Sequence, residues 1–261
     1  MSVCLKTFTK VANSGDRFSQ RLAEWWFGQP MPVCDGETAG NPNLILVGSI
    51  LEWADEATVI CGAGLLGANG RLSVAPRRIV SVRGPLTAAR LHQDHREPTP
   101  PLMADPGVLA PQVFPDQRAA EAPVGIIPHY VDRDCIWVQR WRERGVPVID
   151  VAMPLEEFFA QLQRCRVILS SSLHGLIFAH AYERPALWIE LSSRVLGDGF
   201  KFYDYYGSLG VAPERVLRRR IQGDEEPAEL AALASLHSPE ELQVQALEAL
   251  ELARRELATP G

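Results

Sequence analysis

The stretch Arg166–Ala181, RVILSSSLHGLIFAHA, sets three hydroxyls, a leucine, an imidazole and a glycine directly behind an aliphatic run. A helix starting near Leu173 leaves its first N–H groups without intrahelical partners. Such an end attracts a phosphate or carboxylate, with the helix dipole contributing roughly 0.3–1 kcal/mol. On this reading Ser171 or Ser172 supplies the N-cap and the remaining hydroxyls face outward. Gly175 lets a ligand approach the backbone, and His174 donates a proton or hydrogen-bonds an anion. In the plainer alternative the serines only cap the helix and His174 packs against a neighbour. Arg83 stands in a comparable place, followed by Gly84 and Pro85. Proline suits a first helical turn, so the guanidinium becomes a bidentate clamp beside a helix N-terminus. The alternative is a surface arginine paired with an acid.

Other clusters carry less. GAGLLG (Gly62–Gly67) lacks the spacing of a dinucleotide fingerprint, since no helix with a following acid completes it. Gly62 and Gly64 are expected instead in a close-approach loop. HQDH (His92–His95) has no cysteine or glutamate at ligand spacing, so it reads as a solvated turn and no metal is expected. RVLRRR (Arg215–Arg220) is a solvated face or a contact for anionic lipid headgroups.

The elements that position these residues follow from the pattern. Aliphatic runs at 44–49, 58–62, 78–83, 124–128, 146–151, 166–170 and 186–190 read as strands, and 50–56, 85–92, 134–144, 155–164 and 174–183 as helices. Alternation of nearly continuous apolar strands with helices indicates parallel sheets covered on both faces. Ligands bind beyond the carboxyl ends of such strands. Gly48, Ser49, His129 and Tyr130 fall there, as do Arg83 and the serines. The proline-rich interval 97–122 reads as a crossing between two Rossmann-like domains, 1–118 and 119–261, that face a central cleft. The tail from Ser238 reads as a helix capped by that serine, with Pro239, Glu240 and Glu241 in its first turn. The acidic, alanine-rich segment before it has no assignment.

With 261 residues, 46% of them hydrophobic and 22% charged, the composition is that of a globular α/β protein. The formal charge of −6 argues against general nucleic-acid binding. The first residues show no apolar run of signal-peptide type, and no stretch approaches about 18 apolar residues. Five scattered cysteines without a CxxC pair suit reduced thiols in a cytoplasmic protein.

Taken in order, NSGD (Asn13–Asp16), LVGSIL (Leu46–Leu51), VICGAGLL (Val59–Leu66), SVRGPLTA (Ser81–Ala88), ADPGVL (Ala104–Leu109), GIIPHYVD (Gly125–Asp132), ILSSSLHGLIFAHAYERP (Ile168–Pro185) and FKFYDYY (Phe200–Tyr206) resemble the polysaccharide pyruvyl transferase family. The likeness is greatest to the ketal pyruvyltransferases of xanthan-type bacterial exopolysaccharide assembly. The resemblance implies a GT-B-like fold and phosphoenolpyruvate as co-substrate, without a cofactor. It implies a lipid-linked oligosaccharide acceptor at the cytoplasmic face of the inner membrane. Arg83, Ser171, Ser172, Leu173 and His174 would hold the donor, with Lys201 adding charge. His174 would act as acid and Asp16 as base or orienter, with Asn13 and Gly15 beside it; His129 and Tyr130 are the alternatives to Asp16. The family often carries arginine where this chain has Ser172, which calls for a compensating cation. Two rival readings share this scaffold: a sugar-nucleotide glycosyltransferase, for which Glu190 is the candidate ribose ligand, and a non-catalytic anion-binding component of polysaccharide assembly.

Overall fold

A computed structural model describes residues 3–36, 38, 40–95, 102–116 and 120–259. Two parallel sheets carry the chain. The first comprises β1 (Cys4–Leu5), β2 (Asn43–Ile45), β3 (Thr58–Cys61), β4 (Arg78–Val82) and β5 (Leu102–Met103), in that order across the sheet. The second comprises β6 (Ala122–Ile127), β7 (Cys165–Ser170), β8 (Ala186–Glu190) and β9 (Arg218–Arg220), again in chain order. Parallel bridges of Val33 to Leu5 and of Val148 to Ile126 lie on the far side of each sheet's first strand, so each sheet turns back there as doubly wound sheets do. Central strands such as β3 are buried at every position, as parallel sheets covered on both faces require.

Nine helices lie among the described residues: α1 (Ser14–Phe27), α2 (Pro85–His95), α3 (Ala110–Val113), α4 (Ile136–Glu143), α5 (Leu155–Gln163), α6 (Leu173–Ala181), α7 (Phe200–Ser208), α8 (Pro227–Ala231) and α9 (Glu240–Ala258). One apolar cluster runs through residues of both sheets. At its centre Phe18 of α1 meets Phe159 of α5 and Phe178 of α6 edge-on, at 5.8 and 5.2 Å between ring centroids. Such aromatic pairs add about 0.5–1.5 kcal/mol each beyond area burial. Helix α9 presents Leu242, Ala246, Ala249, Leu250 and Ala253 as one buried stripe and lies against β3, β4 and β5. Its polar edge is tied down too: the Gln245 side chain accepts from the Met103 N–H at 2.9 Å, and Gln243 donates to the Val108 carbonyl at 3.1 Å.

Several expectations need correction. The strand expected at 146–151 is reduced to a single bridge, Ile126 with Val148, because Pro147 has no N–H for a ladder. The helix expected at 50–56 is one 3-10 turn, Leu51–Trp53, cut short where Ala54 turns extended and Asp55 accepts from the Ala57 N–H at 3.0 Å and from the Thr58 hydroxyl at 2.9 Å. Helix α9 begins after Pro239, and Ser238 makes no side-chain cap there. The five cysteines are not all thiols: Cys4 and Cys34 are disulfide-bonded. The parallel bridge between Leu5 and Val33 brings their neighbours' Cα atoms to 5.1 Å, a juxtaposition that a spacing of 30 residues does not announce. Cys61, Cys135 and Cys165 are free. The unassigned acidic segment contains α8, whose Leu230 is buried, and Ser235 pairs with Ala186 at the sheet. The boundary expected between 118 and 119 lies outside the described residues. Among the described residues no helix is long and apolar enough to cross a membrane.

Candidate active site

Helix α1 supplies the first wall. Asn13 is its N-cap and accepts from the Asp16 N–H at 3.1 Å, while its amide nitrogen donates to the Asp16 carboxylate. This reciprocal pair fixes Asp16 in the first turn, as a capping box does. Burial nonetheless pushes the Asp16 carboxyl above its ordinary range, against the lowering by Asn13, His174 and Lys201. Across from it, β7 ends in the three serines. Ser170 donates to the Ile127 carbonyl at 2.8 Å and accepts from the Ser172 N–H at 3.0 Å. The Ser171 hydroxyl donates to Asp132 and accepts from the His129 N–H, each at 2.9 Å. Two of the three hydroxyls are thus fastened inside the fold rather than facing outward. Ser172 occupies the N-cap of α6 but makes no side-chain cap.

A cavity of about 400 Å³ collects the reactive residues. Asn13, Asp16, Gly48, Ser49, His129, Tyr130, Ser172, Leu173, His174 and Lys201, all expected from sequence, line it together. The start of α6 therefore opens on the cavity. Lys201 is buried and held down to about 8 by desolvation and by Arg83, with Asp16 opposing. His129 is pushed down to about 3 by burial, then by Lys201 and His174, so it is a neutral hydrogen-bonding group at neutral pH.

Six other expected residues stand behind this wall. Arg83 is fully buried: its Nε donates to Asp204 at 3.0 Å, Nη1 to the Ser49 hydroxyl at 2.8 Å and Nη2 to the Leu65 carbonyl at 2.6 Å. Its guanidinium orients Ser49 and ties α7 to the first sheet instead of lying free as a clamp. A Cβ on Gly64 would run into that guanidinium, and one on Gly15 into the His174 ring. Gly62, at a φ of +98°, makes room for Pro106. Gly175 admits the Ser170 hydroxyl and Ile127, so it serves close packing of α6 on β6 and β7 and not ligand approach. Ser171 serves Asp132, as described above.

Sequence reasoning missed three contributors. Arg194 lines the cavity, its guanidinium 3.8 Å from the buried Asp132 carboxylate, and nothing in its loop signals this. Glu52, exposed, lines it beside Trp53. Asp105 is fully buried and places Oδ2 3.6 Å from Nε2 of His174; its signal was the Asp-Pro-Gly turn within ADPGVL. Glu190, the ribose ligand of the rival reading, is instead ion-paired with Arg218 and borders a separate polar hollow.

The family model described as polysaccharide pyruvyl transferase matches residues 72–193, which include Arg83, Asp105, His129 and the start of α6. An uncharacterized protein of Acanthamoeba polyphaga mimivirus is 33% identical over 212 residues, covering 78% of this chain and 73% of its own length. The chain belongs to the polysaccharide pyruvyl transferase family. The matched segment carries His174 and the α6 start, whereas Asp16, Arg194 and Lys201 are added from before and after it.

Proposed function

We propose that the cavity binds phosphoenolpyruvate and transfers its three-carbon unit as a ketal onto two hydroxyls of a terminal hexose. The observation that carries this reading is the meeting, in one cavity, of an open helix start, the cations Lys201 and Arg194, the His174 imidazole and the Asp16 carboxylate. The donor has two anionic groups. The N–H groups at the start of α6, with Lys201 and Arg194, offer them donors and positive charge. Arg194 thereby supplies the cation that Ser172 does not. The two sheets are read as a GT-B-like pair, with domains 1–118 and 119–261.

The chemistry conserves atoms and protons. His174 gives a proton to the methylene C3, and the first sugar hydroxyl forms a bond to C2, its proton passing to Asp16. The C2–O bond to phosphate breaks, leaving an oxocarbenium-like C2 that the second hydroxyl captures. That hydroxyl's proton returns to His174, and the one held by Asp16 departs with phosphate. Burial raises the proton affinity of Asp16, which suits a group that must accept and then release a proton. A groove of about 690 Å³ shares Glu52 and Leu66 with the cavity and offers Asn69, Phe200 and Tyr203 to the rest of the saccharide. For a lipid-linked acceptor, the exposed Arg218–Arg220 strand and Arg215 would meet an anionic membrane surface, at the cytoplasmic face.

The test is incubation with phosphoenolpyruvate and a panel of hexose-terminated lipid-linked oligosaccharides. Release of phosphate together with an acceptor heavier by one pyruvate ketal supports the proposal. Sugar transfer from a nucleotide donor, with phosphoenolpyruvate ignored, would overturn it.

A further inference from the structure

Two buried polar atoms without hydrogen-bond partners lie close to one another: Oδ2 of Asp105 and Nε2 of His174, 3.6 Å apart. The separation is too long for a hydrogen bond, and a small rotation of the ring closes it, as catalytic contacts do when substrate arrives. The surrounding backbone is shaped for both partners. Oδ1 of Asp105 accepts from the Gly107 N–H at 2.9 Å and caps the 3-10 turn Pro106–Leu109. Gly62 gives space to Pro106 of that turn, and Gly107 lies against Ile177 and Phe178 of α6. On the other side Gly15 of α1 leaves only enough room for the imidazole. Three glycines from three segments thus hold one carboxylate and one ring in register.

We propose that Asp105 is a positioning residue for His174: its Oδ2 accepts a hydrogen bond from Nε2–H, which fixes the ring tautomer and leaves Nδ1 to exchange a proton with the substrate. This inference rests on the role given to His174 in the proposed function. A carboxylate behind a histidine stabilises the imidazolium and sets its orientation without itself being protonated. The charged or titratable groups around the ring are Asp105 from the 3-10 turn, Asp16 from α1 and His129 from the segment after β6; Lys201 acts on Asp16 and His129. Of these only Asp105 meets Nε2.

The decisive measurement is nitrogen NMR of the His174 ring in the full, ligand-free chain, so it does not depend on the reaction. In the wild-type protein the neutral ring is expected as the Nε2–H tautomer; an Nδ1–H tautomer would overturn the proposal. In Asp105→Asn, which keeps Oδ1 for Gly107 and turns an amide N–H toward the ring, the neutral imidazole is expected to change to the Nδ1–H tautomer. Asp105→Ser retains a capping oxygen but no acceptor that reaches Nε2, and should lose the Nε2–H preference. An unchanged tautomer in a folded variant would overturn the pairing. With phosphoenolpyruvate, Asp105→Asn should lower kcat while KM for the donor stays within about twofold. Absence of any turnover in the wild-type protein, with the tautomer as expected, would refute the transfer reaction and leave the pair intact.

Discussion

At the scale of single residues, the proposed donor site depends on charge held in a partly buried cavity. Lys201 carries its proton below about 8 and loses it above. The donor's phosphate, with a second ionisation near pH 6 for phosphate esters (about 6), is already fully charged there. Affinity for phosphoenolpyruvate is therefore expected to fall as pH rises from 7 to 9, and calorimetry across that range checks it. Lys201→Gln should bind weakly and lose the pH dependence; a wild-type affinity that stays flat would contradict the assignment. His174→Ala should keep donor binding and lose about 10²–10⁴ in turnover, read from single-turnover phosphate release. His174 and Lys201 were legible because a motif surrounds each. Arg194 was not, because an arginine in an irregular loop looks the same whether it faces water or a cavity. Arg83 misled for the opposite reason: its neighbours predict a helix start, but not that Asp204, 121 residues later, takes its Nε.

At the scale of elements the glycines and one buried ion pair decide how strands and helices meet. Gly15→Ala pushes a methyl into the His174 ring without touching the core, so turnover should drop about 10²-fold while the denaturation midpoint moves little. A parallel loss of stability would show that the glycine serves folding instead. Asp204 accepts from Arg83, from the Thr87 N–H at 2.9 Å and from the Thr87 hydroxyl at 2.6 Å, so it joins α7 to the start of α2. Asp204→Ala leaves a buried guanidinium uncompensated and should cost about 3–5 kcal/mol in urea unfolding. The β-strand cores and α2, α4, α5 and α6 were readable from apolar runs and periodicity. Helix α1 was overlooked although Asn13, three residues before Asp16, marks its start. Strands β1, β5 and β9 are two or three residues long, too short for any period to show.

At the scale of the molecule, the covalent link between Cys4 and Cys34 and the return of α9 to the first sheet are long-range facts that no local pattern encodes. Closing a loop of that length restrains the unfolded chain by about 3–4 kcal/mol. Reduction should therefore lower the thermal midpoint, and Cys34→Ser should reproduce the shift and abolish the effect of reductant. The overall α/β design was legible because parallel strands buried on both faces leave an unmistakable run of aliphatic residues. The gathering of Asp16, His174, Arg194 and Lys201 into one cavity is the product of that design, and it is the claim on which the functional reading rests. The most direct measurement is isothermal calorimetry of phosphoenolpyruvate and, separately, of UDP- and GDP-sugars with the wild-type chain and with the Lys201→Gln, Arg194→Gln double variant. Binding of phosphoenolpyruvate alone, weakened at least tenfold in the double variant, is the predicted result. Undiminished binding in the double variant, or binding of a sugar nucleotide in place of phosphoenolpyruvate, would contradict it.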